Sequence, residues 1–308
     1  GLAKVQLPRR SRQRPGFGHG KERSGQRPIR HIHTFMYSTS RLLVNVYFAC
    51  PGLSCGQSMM EKGKIMKKVL VLGASGLFGG RAAEAFAAAG WQVTRFKRGG
   101  DMKAAAMGMD VIVNGLNPPM YHNWAELVPA ITAEVIAAGL ASGARVIVPG
   151  NVYVYGTQPA PWGPDTPHRP VSRKGAIRAA MENSYRNAAR AQGLRVLILR
   201  GGDFLDARAE STMFNQLMLR SFAAGKITVG GAADAMHAWA PLQDMARAAV
   251  ALADHPNLPD FADVPFAGLS FTPNDLKAEL ERQTGRRLRF ARFPWWAMRL
   301  AAPFWELA

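Results

Sequence analysis

Cysteine is scarce in this 308-residue chain: there are two, Cys50 and Cys55, both near the amino end. The body of the protein therefore has no disulfide framework, which suits a reducing compartment, and a cytoplasmic location is expected. Long hydrophobic runs are missing too. No continuous apolar stretch reaches the roughly 18 residues that a bilayer-spanning helix needs, since the run from Leu42 is interrupted at Asn45 and stopped at Pro51. No membrane span is expected. Acidic residues are short at one end only: residues 1–65 hold 12 Lys or Arg against 2 acids, and the rest of the chain holds 27 against 19. More than half of the net charge of +18 thus sits in about a fifth of the chain. That segment has few aromatics and no recognition motif, so specific nucleic-acid binding is not expected. We read residues 1–65 as a basic, disordered extension. Metal-ligand spacing is also absent, with His122, His168 and His237 scattered over different loops, and no metal is expected.

What is present is a chain with 48% hydrophobic residues, enough to bury a large core. Organised structure starts abruptly at Lys67. The run from Lys67 reads as a buried strand at 68–73, a glycine turn, a helix from Leu77 to Ala89 and a strand at 91–97, which together make one βαβ unit. Apolar strands follow at 111–114, 145–149 and 194–200, separated by helical patterns at 124–142 and 174–192. Such alternation indicates an α/β fold, a Rossmann-type doubly wound parallel sheet with both faces covered. Beyond about residue 201 the pattern loosens into helices at 213–224, 244–253 and 273–284 and a short strand at 227–229, among loops rich in Gly, Pro and Trp. The folded unit is expected to span 66–308, with a smaller C-terminal substrate lobe drawn mainly from 201–308. The aromatic end, from Pro294 through Trp295 and Trp296, is expected to pack on the domain or on a partner.

The spacing of Gly73, Gly76 and Gly79, directly after a strand and at the mouth of a helix, fits a pyrophosphate cradle. Glycine removes Cβ where the backbone turns tightly and approaches the anion, and the helix amino end offers unpaired N–H groups. Gly73, Ser75, Gly76, Leu77, Phe78 and Gly79 are the expected cofactor loop. At the end of the second strand an acid would hold the ribose hydroxyls of NAD, whereas basic residues accept the 2′-phosphate of NADP. Arg95, Lys97 and Arg98 stand there and the first acid, Asp101, comes later. NADP is therefore favoured, with NAD the alternative, and Lys97 and Arg98 join the cofactor set. Ordinary solvated charges at a strand end are the plain reading of the same residues.

With these residues in view, the chain resembles the extended short-chain dehydrogenase/reductase superfamily, NAD(P)-dependent epimerase/dehydratase type. The resemblance rests on GASGLFG from Gly73, MDVIVNGLNP from Met109, VPGNVYVYG from Val148, VLILRGGDF from Val196 and HAWAPLQDMARA from His237, in family order over nearly the whole folded chain. It implies an oxidoreductase or epimerase-like activity on a small polar or sugar-like substrate, with Asn114 beside the cofactor and a homodimer among the admissible assemblies. It also implies a tyrosine and, four residues on, a lysine on the long helix. Counted back from the LRVLILR strand, those positions hold Lys174 and Arg178, and the hydroxyl residue of the preceding strand is replaced by Asn151. The usual Tyr-x-x-x-Lys pair is lacking.

The residues left to carry chemistry are Lys174, Asn151 and Tyr153, with Arg178 as a ribose or pyrophosphate contact. Tyr153 alternates with Asn151 on one strand face, which leaves a core role and a proton-donor role both open. Tyr185 reads as packing, and Asp203 as either a turn former or a substrate contact. A noncatalytic dinucleotide-binding redox sensor is the competing function, because the missing pair fits it equally well.

Overall fold

The computed structural model describes residues 66–118 and 122–301. The expected extension 1–65, with both cysteines, lies outside the described residues. Strands β1 (Lys68–Leu72), β2 (Gln92–Arg95), β3 (Val111–Asn114), β4 (Arg145–Gly150), β5 (Val196–Arg200) and β9 (Phe261–Pro265) form a six-stranded sheet in the order β2-β1-β3-β4-β5-β9. Every neighbouring pair in it is parallel. The chain runs from β1 outward to β2 and then crosses back over β1 to β3. That reversal opens a crevice at the carboxyl ends of β1 and β3, where doubly wound sheets bind their ligands.

Alternation along the strands assigns each side chain to a layer. Val69 and Val71 of β1 face one core with Phe86 of helix α1 (Leu77–Ala88). Leu70 and Leu72 face the other, against Trp124, Val128 and Val135 of a later helix, Trp124–Ser142. Because both faces are covered, the strands read as unbroken apolar runs rather than alternating ones. A short helix, α2 (Met102–Ala106), occupies the alanine-rich stretch, and Trp124–Ser142 is α3. By length and composition alone α3 could cross a membrane. In the fold one face of it packs against the sheet, with Val128, Val135 and Ala138 buried. Helix α4 (Arg173–Gln192) opens on Ser172, whose hydroxyl accepts from the Gly175 N–H, and closes on Gly193 at φ +72°.

The C-terminal third departs from expectation in two ways. The predicted helix 213–224 is instead a π-helical turn at Phe214–Met218 followed by a 3-10 turn at Phe222–Ala224. The segment buries Phe214, Met218 and Phe222 in the lobe core, so packing rather than helical propensity sets its path. Nor is the lobe contiguous. Helix α5 (Leu242–Ala253) and β9 return to the main sheet, with Leu242, Met245 and Ala262 in its core. What remains of the lobe is a three-stranded sheet, β10 (Leu269–Phe271), β8 (His237–Pro241) and β6 (Asp203–Leu205), a pair made of β11 (Arg289–Arg292) and β7 (Lys226–Val229), and helix α6 (Pro273–Thr284). A last helix, α7 (Trp295–Ala301), docks through Trp295, whose indole N–H donates to the Gly230 carbonyl at 2.6 Å.

Candidate functional site

At the switch point two loops meet backbone to backbone. Gly73 follows β1 with φ +68°, and a Cβ there would lie 2.6 Å from the Gly115 carbonyl oxygen. Gly79, one turn into α1, would bring a Cβ within 2.3 Å of the Gly73 oxygen. A Cβ on Gly115 would approach the Gly79 Cα to 2.9 Å. Only glycine fits this three-way contact. The Gly76 N–H donates to the Gly73 carbonyl at 2.9 Å and closes the turn. Gly76 and Ser75 are exposed, so the loop faces solvent at the carboxyl edge.

Helix α1 begins with no acid in its first turn and no side-chain cap, so its positive end is left unneutralised. The Leu77 and Phe78 side chains turn inward, so only their backbone is available to the loop. Phe78 is buried in the core and Leu77 packs against it, because the helix must press its first turn onto the sheet. Gly115 was not singled out in the sequence. Its signal was its place, directly after an apolar strand.

Lys97 and Arg98 occupy an exposed turn beyond β2, closed by the Gly100 N–H donating to the Lys97 carbonyl at 3.1 Å. The nearby acid, Asp101, is spent: its carboxylate accepts from the Ala104 N–H and caps α2. Asn114, expected in the cofactor set, is buried; its amide donates to the Tyr185 hydroxyl at 3.1 Å, and its oxygen accepts from the Leu116 N–H. These two bonds hold the β3 end in place. Tyr185 is packing, as expected: it is wholly buried, and burial pushes its hydroxyl up to about 12.

The carboxyl end of β4 gathers the residues proposed for catalysis. The strand stops at Gly150, and Tyr153–Tyr155 is a 3-10 turn, so the strand alternation expected of Asn151 and Tyr153 does not hold. Asn151 instead folds back, its side-chain oxygen accepting from the Tyr153 N–H at 3.1 Å. Helix α4 lies directly against this turn, since a Cβ on Gly175 would come within 2.6 Å of the Tyr153 carbonyl. That contact brings the half-buried Lys174 to the same edge. Arg178, one turn on, donates to the Pro149 carbonyl at 2.7 Å and lies over the Trp124 ring, while its Nε is buried without an acceptor among the described residues. Burial pulls the Arg178 guanidinium down from its ordinary value, with Glu182, Tyr185 and Tyr153 opposing. Lys174, Asn151, Tyr153 and Arg178 are thus collected around one strand end.

Beneath them lies a buried network that the sequence did not announce. Arg200 donates to both oxygens of Glu182, at 3.1 and 2.7 Å, and to Asp263 at 3.1 and 2.6 Å. It also donates to the Asn151 carbonyl at 2.6 Å. His168 stands 3.6 Å from Glu182. The ligand atoms of His168, Glu182 and Asp263 all lie within 4.8 Å of one another, close enough for a cation. The Arg200 guanidinium lies between the two carboxylates and donates two hydrogen bonds to each, leaving one net negative charge in the cluster. Among the described residues the cluster forms an ion-paired brace.

Two residues of the lobe also reach this edge. Asp203 is not a turn former, as one reading had it, but the first residue of β6, and it pairs with His237 of β8 at 2.9 Å.

Residues 125–262 match the model of the NAD dependent epimerase/dehydratase family. The match runs through the β4 end and α4 and includes Glu182 and Arg200, but it stops one residue short of Asp263 and leaves the glycine loop outside it. No curated protein matched the sequence. Among solved structures, the chain is similar to UDP-glucuronic acid 4-epimerase from Bacillus cereus in complex with UDP-glucuronic acid and NAD, at 16% identity and TM-score 0.64, covering 73% of this chain and 86% of that one. It is similar to UDP-N-acetylglucosamine 4-epimerase from Methanobrevibacter ruminantium M1, at 15% identity and TM-score 0.62, covering 74% and 86%. It is also similar to an NAD dependent NDP-hexosamine 5,6-dehydratase, TunA, at 20% identity and TM-score 0.60, covering 73% and 84%. The chain thus shares the fold of these proteins, and its central segment is similar in sequence to the NAD dependent epimerase/dehydratase family.

Proposed function

We propose that this chain binds a nicotinamide dinucleotide, NADP in preference to NAD, and acts as an oxidoreductase or epimerase on a small sugar-like substrate, with nucleotide sugars the first class to try. The observation that carries the reading is the triple glycine contact of Gly73, Gly79 and Gly115 at the switch point. A backbone held that close, beside an uncapped helix amino end, leaves a cradle shaped for a pyrophosphate. Lys97 and Arg98 would hold the 2′-phosphate, Arg178 would reach the ribose or pyrophosphate, and Lys174 and Tyr153 would meet the substrate oxygen. The cofactor supplies the hydride acceptor. The epimerase of similar fold from Bacillus cereus holds NAD, so NAD is kept as the alternative.

Fluorescence titration with NADPH and NADH tests the reading. Tighter NADPH binding, reversed in Lys97→Glu with Arg98→Glu, is the expected result. Failure to bind either cofactor would remove the proposal. Binding without turnover of UDP-glucose or UDP-glucuronic acid would favour the redox sensor, whose support is that Lys174 and Arg178 stand where the resembling family places Tyr and Lys.

A further inference from the structure

We propose that His237, oriented by Asp203, is the acid–base group that exchanges a proton with the substrate; the inference rests on the cofactor-dependent reading above. Three observations converge on it. The first is position. Asp203 follows Arg200, the last residue of β5, by three positions, and the Gly201 N–H donates to the Gly150 carbonyl at 3.1 Å, the residue before Asn151. The pair therefore stands at the same carboxyl edge as the β4 site.

The second is the bond itself. His237 Nε2 lies 2.9 Å from an Asp203 carboxylate oxygen, with the His237 side chain 47% exposed and that of Asp203 30% exposed. A carboxylate only accepts, so Nε2 carries the hydrogen, and Nδ1 presents a lone pair. The ring as a whole is half-exposed, so a ligand can reach the pair from solvent. Strands β6 and β8 are pressed together here, since a Cβ on Gly202 would come within 2.1 Å of the Ala238 carbonyl. The backbones that carry Asp203 and His237 are thus held in close register.

The third is the floor of the pair. The His237 ring lies 4.3 Å from the Trp239 ring, which is itself clamped by Phe214 and Phe271. The Trp239 indole N–H is buried and finds no acceptor among the described residues. An unpaired buried donor beside a solvent-facing pair marks a place where protein groups alone do not complete the hydrogen bonding. From β10 the residue opposite His237 is Phe271, which brings no charge, so Asp203 is the group whose field His237 feels most closely.

The position also adds a proton carrier to the set. Asn151 is an amide with no proton to exchange, and Tyr185 is sealed in the core. In this proposal Lys174 and Tyr153 hold the substrate oxygen while His237 moves the proton. In the oxidative direction a substrate carbinol gives its hydroxyl proton to Nδ1 and its C–H hydrogen, with both electrons, to the oxidised cofactor. The products are the carbonyl compound, the reduced cofactor and an imidazolium held against Asp203. Reversal returns the proton.

The full chain loaded with NADP⁺ provides the test. Side-chain ¹⁵N–¹H correlation spectra, with His237→Gln to assign the ring, should show the Nε2–H tautomer for His237 at neutral pH. Asp203→Asn should mix the two tautomers. With UDP-glucose, His237→Gln should lower kcat by about 100-fold while cofactor affinity stays within about twofold, and Asp203→Asn should lower kcat by about 10-fold at unchanged KM. An Nδ1–H tautomer in the wild type, or turnover by His237→Gln within about threefold of it, overturns the assignment. Loss of cofactor binding by the wild-type chain strikes the function proposed above instead, and the tautomer measurement keeps the two failures apart.

Discussion

Gly79 has the least room of any residue in the cradle. A methyl group there meets the backbone oxygen of Gly73 at 2.3 Å, and backbone cannot rotate away as a side chain can. Gly79→Ala should cost about 1–3 kcal/mol in urea denaturation and weaken NADPH binding by more than about 10-fold, because the loop shifts as well as the helix. His168 sets a second expectation. Burial lowers its pKa from the usual value, with Glu182 pulling the other way. The fold therefore holds the neutral ring, and the unfolded chain takes up the proton more readily. The stabilising contribution is complete above the unfolded pKa of about 6.5 and is lost as pH falls through the lower folded value. Melting temperature should accordingly drop more steeply on acidification from about pH 7 to pH 5 in the wild type than in His168→Gln. Equal slopes would mean that His168 is not the group responsible.

At the scale of elements, the Arg200 network staples three of them. Glu182 belongs to α4, Arg200 to β5 and Asp263 to β9, and the side chains of all three are at most 4% exposed. The same guanidinium holds the Asn151 carbonyl, so the brace also fixes the loop after β4. Removing Glu182 leaves the Arg200–Asp263 pair balanced but takes away two charge-assisted hydrogen bonds. Glu182→Gln should lower the unfolding free energy by about 2 kcal/mol, the scale of lost hydrogen bonds to a charged group, because Asp263 still accepts from Arg200. Chemical denaturation measures it, and a loss below about 1 kcal/mol would show the network to be better hydrated than its burial implies. A comparable link ties α1 to the lobe: Arg81 donates to Asp206 at 2.6 and 2.9 Å, with the Asp206 side chain 2% exposed. The cradle helix and the substrate lobe are thus joined directly, not only through the sheet.

On the scale of the molecule, both sheet faces are covered by core clusters among the described residues from 66 onward. Deleting residues 1–65 should leave the melting temperature within about 2 °C and cofactor affinity unchanged. Failure to fold would show that the basic segment belongs to the domain. Most of the net charge would go with it, so binding to anionic surfaces should weaken in the shortened chain.

The sequence by itself did not reveal β9, but it determined the other five of the six main-sheet strands, their parallel sense and the glycine turn after β1. Each of these is written in local order: apolar runs such as Lys68–Leu72 have one buried period, and Gly73, Gly76 and Gly79 lie within a single turn of chain. It also marked Lys174 and Arg178 as departures from the pattern it resembles. Only the tertiary structure decided which side chains meet. Gly115 closes on Gly79 across 36 positions, Glu182 and Asp263 share Arg200 across 18 and 63, and Asp203 faces His237 across 34. The partners of each pair lie on or next to different elements joined by intervening turns and loops, so no periodic pattern along the chain could reveal them. The same reason accounts for the misread strand face at Asn151 and Tyr153: a backbone oxygen held by Arg200 bends the chain there, and the residue that does so lies on another strand.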